Sequence, residues 1–281
     1  MIRRWLFSAL AALLLASTAG AVPIVVTFEA AGSDAAAIMA TRDGFRAAVG
    51  GGSVAAANGA FGGLRREINW DGVPDLRADP NALPANFFNV NSPRGAVFST
   101  PGSGFLVSAN AGSTTAPLFG FGNDLQAFSA QRLFTAINSN TTDVHFFLPG
   151  TTTAATTRAF GVVFVDVEVA GLTRLQLFDG NDALIYTHDA AVAGNRGFSF
   201  LGATVSGASI ARVRITSGLN TILANGALGN PIDDLVVMDD FLYAEPLQAV
   251  PEPTRVVLTG LGLIGVLALV RGRRKVPGRA S

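Results

Sequence analysis

A chain of 281 residues allows one large domain or two small ones, and its 49% apolar against 14% charged residues is weighted by hydrophobic segments at both ends. The formal net charge of zero hides a partition, because between residues 22 and 249 there are 12 Arg and no Lys against 19 Asp and Glu, a charge of −7. That sign argues against nucleic-acid binding, which needs basic side chains to neutralise phosphates. The absence of cysteine leaves stability to a packed core, which about 225 residues are enough to supply.

The N-terminus carries Arg3 and Arg4, an apolar stretch over 6–16, and Ala19-Gly20-Ala21. A basic start, a short apolar core and an A-x-A site make residues 1–21 a secretory signal peptide rather than a membrane span, so the mature chain is expected to begin at Val22. Residues 24–29, rich in β-branched side chains, read as a first strand. A helix is predicted over 34–49, with Ser33 as N-cap, Ile38, Arg42, Phe45 and Val49 spaced for one face, and Gly50-Gly51-Gly52 to end it. It is expected to cover one end of the fold. Residues 59–93 are dense in Gly, Pro, Asn and Asp, with a strand-like island at 65–71. Trp70 in that island is either a partly buried anchor or an exposed platform for stacking a sugar.

From Gly95 onward the pattern is short strands: 95–100 and 104–108 around a Pro-Gly-Ser turn, then 143–148 and 159–169. In the last of these both parities are apolar until Asp166 and Glu168 appear on one side. Residues 173–178 and 184–187 are predicted to pair across Asp179-Gly180-Asn181-Asp182, and 197–201, 209–216 and 235–243 complete the set. Many short strands punctuated by turns, without helices between them, predict a mostly β fold, an antiparallel β-sandwich over 22–249.

Within it, Phe160-Gly-Val-Val-Phe-Val-Asp-Val-Glu168, Phe198-Ser-Phe-Leu-Gly202 and Asp239-Asp-Phe-Leu-Tyr243 resemble the jelly-roll domains of carbohydrate-binding modules and of many exported bacterial proteins. The resemblance implies a structural calcium between first and last strands, with Glu29 and Asp240 as the pair to hold it, near the acidic clusters Asp233-Asp234 and Asp239-Asp240. It implies no sugar-binding residue. The bland alternative is that these acids are solvated charge at strand ends.

Other chemistry is sparse. Asp166 and Glu168, about 6 to 7 Å apart if they share one strand face, span a separation that glycosidases use, although such enzymes take their acids from different elements. Asp179 and Asp182 suit turn roles. His145 and His188 are the two histidines, far apart in sequence, and with no Cys and no G-x-S-x-G they make neither a zinc site nor a nucleophile–base pair.

The tail, 250–281, is tripartite. Pro251-Glu252-Pro253 precedes an uncharged run over 256–270, and Arg271, Arg273, Arg274 and Lys275 follow. As a helix the run spans about 23 Å, short of the roughly 30 Å of bilayer hydrocarbon, so it would cross with help from thinning or snorkelling. The basic end belongs on the cytoplasmic side, leaving the rest outside. Gly260, Gly262 and Gly265 spell G-x-G-x-x-G, but no βαβ unit surrounds them, and small residues in a membrane helix are the better reading. The order and spacing of all three parts resemble the PEP-CTERM sorting signal, which implies an exosortase-type processing enzyme, passage through the inner membrane, and delivery to the cell surface or beyond. The leading expectation is therefore an exported, envelope- or matrix-associated, non-enzymatic protein that binds extracellular polysaccharide or supports biofilm structure. The alternative is a secreted polysaccharide-active hydrolase.

Overall fold

The computed structural model describes residues 22–207 and 209–248, so the expected signal peptide and the tail with Pro251, Glu252, Pro253, Arg271, Arg273 and Arg274 lie outside the described residues. The body is mostly antiparallel β, built as two stacked sheets. The larger has the order β1 (Ile24–Gly32), β12 (Phe198–Ser206), β9 (Ala159–Val165), β14 (Val237–Ala244), β3 (Arg65–Ile68) and β2 (Ala60–Phe61), and β6 (Phe134–Ile137) and β5 (Gly104–Val107) extend it beside β14. The smaller runs β11 (Leu184–Asp189), β10 (Arg174–Phe178), β13 (Arg212–Thr216), β7 (Thr141–Phe146) and β4 (Ala96–Ser99), and β8 (Ala155–Thr156) pairs with β15 (Leu247–Gln248) as a short separate ribbon. Among the described residues no helix is long and apolar enough to cross a membrane.

The two sheets differ in burial, and the sequence periodicity follows from that. Strand β13 alternates, with Val213 and Ile215 turned to the core and Arg212, Arg214 and Thr216 turned outward, as a sheet with one wet face requires. Strand β9 is buried at every position. Its Phe160, Val162 and Phe164 meet the smaller sheet, and Ala159, Val163 and Val165 meet a second core on the other side.

That second core lies beneath α1 (Ala35–Val49), which packs on the outer face of the large sheet against β1 and β12 rather than over one end of the sandwich. Ile38, Phe45 and Val49 form its buried stripe, three of the four positions that helical spacing selected, while the fourth, Arg42, is half-buried and pairs with Asp43. Its N-cap is Asp34, whose carboxylate accepts from the Ala37 N–H at 3.1 Å, one residue later than Ser33. Gly50, at φ 93°, ends it. The Phe45 ring needs a hollow in the sheet, and two paired glycines supply it. Gly161 and Gly202 face each other across β9 and β12, and a Cβ on either would stand 3.3 or 3.0 Å from that ring and 2.9 or 3.1 Å from Phe200 Cζ.

Several strands are as predicted, with shifted ends. The β10–β11 hairpin forms across Asp179–Asp182 with a bulge after Leu177. The Pro-Gly-Ser segment does not close a hairpin: β4 and β5 lie in different sheets, so the turn carries the chain from one layer to the other. Strand β9 stops at Val165, not at residue 169, because Asp166 takes φ 74° and breaks the extended run.

Candidate functional site

The turn at Asp166 brings three acids together. Strands β9 and β14 are neighbours, with Val165 opposite Val237, so the residues leaving β9 emerge beside those entering β14. One carboxylate oxygen from each of Asp166, Glu168 and Asp234 lies within 4.8 Å of the others. Asp166 is 3% exposed and Asp234 9%, whereas Glu168 is exposed. The Arg196 N–H donates to Asp166 Oδ1 at 2.7 Å and the Val169 N–H to Asp234 Oδ2 at 3.4 Å. Asp234 Oδ1 is buried with no hydrogen-bond partner. Burial pushes the Asp166 carboxyl up to about 7, reinforced by the charges of Glu168, Asp234 and Asp124. Burial raises Asp234 too, with Glu168 adding to it. An all-oxygen set of this kind suits a hard cation better than a nitrogen- or sulfur-seeking metal.

A second acidic group has a structural task. Asp239 and Asp240 occupy the irregularity in β14 between Met238 and Phe241, where the register against β9 shifts. Asp239 is fully buried and fastens the 128–129 segment: Oδ2 accepts from the Phe128 N–H at 2.7 Å and Oδ1 from the Ser129 hydroxyl at 2.8 Å. Asp240 stands at the wall of a cleft of about 500 Å³ that Arg42, Arg46, Asn58, Glu67 and Arg94 also line. Burial raises both carboxyls, and the charge of Asp240 adds to the rise at Asp239. The cleft's charges are largely satisfied internally. Arg46 grips Glu67 with both ends of its fork, at 2.9 and 2.6 Å, and Arg65 adds a bond of 2.7 Å to the same carboxylate.

The pair expected to hold calcium is not brought together. β12 and β9 lie between β1, which carries Glu29, and β14, which carries Asp240, so at about 4.8 Å per strand the two backbones are roughly 14 Å apart. The fold does bring β1 and β14 into one sheet, but not as neighbours. Glu29 instead faces His188, its Oε2 lying 3.3 Å from Nε2, at the edge where Thr27 also meets the Tyr186 hydroxyl at 3.0 Å. His145 bonds to the Ser99 hydroxyl at 3.1 Å on the outer face of the small sheet, and burial lowers its pKa. Asp179 caps its own turn, accepting from the Asn181 and Ala183 N–H groups at 2.8 and 2.9 Å. Asp233 stays outside the triad and accepts from the Asn230 side-chain amide at 2.9 Å.

Trp70 is an anchor and not a sugar platform. It is 1% exposed, its ring stacks on Phe134 with centroids 4.0 Å apart, and its indole N–H donates to the Asp239 carbonyl at 2.7 Å. No described phenylalanine is exposed either.

No family model matches the chain, and no curated protein matches it. Among solved structures it has a likeness to a Podospora anserina GH26-CBM35 β-(1,4)-mannanase at 15% identity and a TM-score of 0.25, covering 57% of this chain and 29% of that one.

Proposed function

We propose that this chain is an exported protein of the bacterial envelope or extracellular matrix, sorted through a PEP-CTERM-like tail that an exosortase-type enzyme processes after the apolar run engages the inner membrane. Its body is a jelly-roll-like, non-enzymatic sandwich that contacts extracellular polysaccharide or supports biofilm structure. The observation that carries this reading is the tail itself, with Pro251-Glu252-Pro253, an uncharged run and Arg271, Arg273 and Arg274 in fixed order. The body supports it in two ways. Its net negative charge suits a secreted surface in which nucleic acid is not the partner. Most of its described phenylalanines are buried and Trp70 is stacked in the core, which favours a structural or adhesive role over the aromatic-walled cleft of a polysaccharide hydrolase.

The test joins location to activity. Removing residues 250–281 in the producing cell is expected to divert the protein from its envelope or surface fraction. The purified chain, screened against extracellular polysaccharides, is expected to bind without releasing sugar. Release of reducing ends, abolished by Asp166→Asn, would replace this reading with the hydrolase.

A further inference from the structure

The structure assigns a divalent-cation site to Asp166, Glu168 and Asp234, at the seam where β9 ends and β14 begins, and the cation that fits it is calcium. The inference goes beyond the proposed function and does not depend on it.

Clustered acids on a surface are common, and three features set this group apart. Two of its three members are over nine-tenths buried, so the negative charge is carried inward and not spread into solvent. Asp234 Oδ1 is buried with no hydrogen-bond partner, a condition that folded proteins avoid unless something else occupies the position. No described arginine pairs with any of the three. Arg196 is close enough to offer its backbone N–H to Asp166, yet its guanidinium turns away to the Gly122 carbonyl at 2.6 Å. The local charge is thus left open for a positive ion.

The geometry selects the ion. Ligand oxygens on opposite sides of calcium, each at 2.3–2.6 Å, stand roughly 4.6–5.2 Å apart, whereas magnesium at about 2.0–2.1 Å draws them to about 4.1 Å in a strict octahedron. Three carboxylates whose oxygens lie within 4.8 Å of one another suit calcium's looser, carboxylate-rich shell better than magnesium, which keeps a strict octahedron with most of its waters and one or two carboxylates. The donor set has no nitrogen or sulfur, which disfavours zinc and copper. Exposure of Glu168 leaves one side open for the waters that complete a calcium shell, and Asp124 adds a further negative charge nearby. The backbone turn is part of the site, because φ 74° at Asp166 ends the strand where β9 leaves the sheet beside the start of β14. An open site with three protein carboxylates belongs to the weaker range of extracellular calcium modules, about 10⁻⁴–10⁻³ M.

The test uses the full chain in detergent, freed of ions with a chelator, then titrated with calcium chloride or magnesium chloride by calorimetry and followed by thermal unfolding. Calcium is expected to bind with one site per chain and to raise the melting temperature, and magnesium is expected to bind at least tenfold more weakly. Glu168→Gln, at an exposed position that folding does not depend on, should weaken calcium at least tenfold, and Asp234→Asn should abolish the heat. Asp143→Asn, on the outer face of the small sheet, should leave calcium affinity unchanged. Absence of a calcium heat, or the same affinity in Glu168→Gln as in the parent, would overturn the assignment.

Discussion

The seating of α1 on the large sheet makes a prediction whose sign depends on background. Gly161→Ala places a methyl 2.9 Å from Phe200 Cζ and 3.3 Å from Phe45 Cε1. Overpacking of this degree costs about 1–3 kcal/mol, set against the ~0.5–1 kcal/mol that alanine gains over glycine inside an element. The net expectation is a loss of ~1–2 kcal/mol. Phe45→Ala alone empties the hollow and should cost ~3–5 kcal/mol, the usual range for a buried phenylalanine. In that variant the Phe200 ring, whose centroid lies 5.7 Å from that of Phe45, can lean into the vacated space. Gly161→Ala should then be neutral or stabilising by up to ~1 kcal/mol, and the double-mutant cycle should show a coupling of about 1–3 kcal/mol. Urea unfolding of the four proteins, followed by far-ultraviolet circular dichroism, measures each term. If Gly161→Ala costs the same with and without Phe45, or stabilises the parent, the glycine pair is not what admits the helix.

Two further outcomes concern buried polar and aromatic groups. The only tryptophan outside the first 21 residues is Trp70, so after export the fluorescence should be blue-shifted, resistant to acrylamide and unchanged by any polysaccharide that binds, and Trp70→Ala should cost ~3–5 kcal/mol. Asp71 is held up at about 6 by burial, with the charge of Asp240 adding to it. Its folded pKa is raised above 3.8, so its contribution is fully present below about pH 4 and is lost as pH rises through about 6. After allowance for solvent screening the loss is on the order of 2 kcal/mol. Asp71→Asn, which keeps an oxygen for the Arg132 N–H, should flatten the decline between pH 4 and 7 in denaturant titrations, whereas an unchanged slope would place its origin elsewhere.

Much of the body was legible because its strongest signals are local. The apolar run through Phe160 and Val165 on both parities marks a strand covered on both faces, and the 38, 45, 49 spacing marks a helix with one buried stripe. The turn chemistry of Asp179–Asp182 fixed the β10–β11 hairpin. What escaped depends on long-range pairing. Strand β6, Phe134–Ile137, is only four residues long and gains its meaning from β5 and β14. The helix sits on a sheet face and not at an end because two glycines some forty residues apart meet across β9 and β12. The acids show the same division. Asp166 with Glu168, and Asp233 with Asp234, were visible as separate pairs, but only the adjacency of β9 and β14 joins three of them, and only the same strand order keeps Glu29 from Asp240. A carboxylate pair that closes a buried strand and another that opens one were the available signal, but nothing local says that those two strand ends meet.

The most direct test of the account is the intact mass of the protein recovered from the producing cell, fraction by fraction. The account predicts that the envelope or surface fraction holds a species beginning at Val22 and lacking the basic end after residue 270. Recovery of a single, uncut 281-residue species from the cytosol would contradict it.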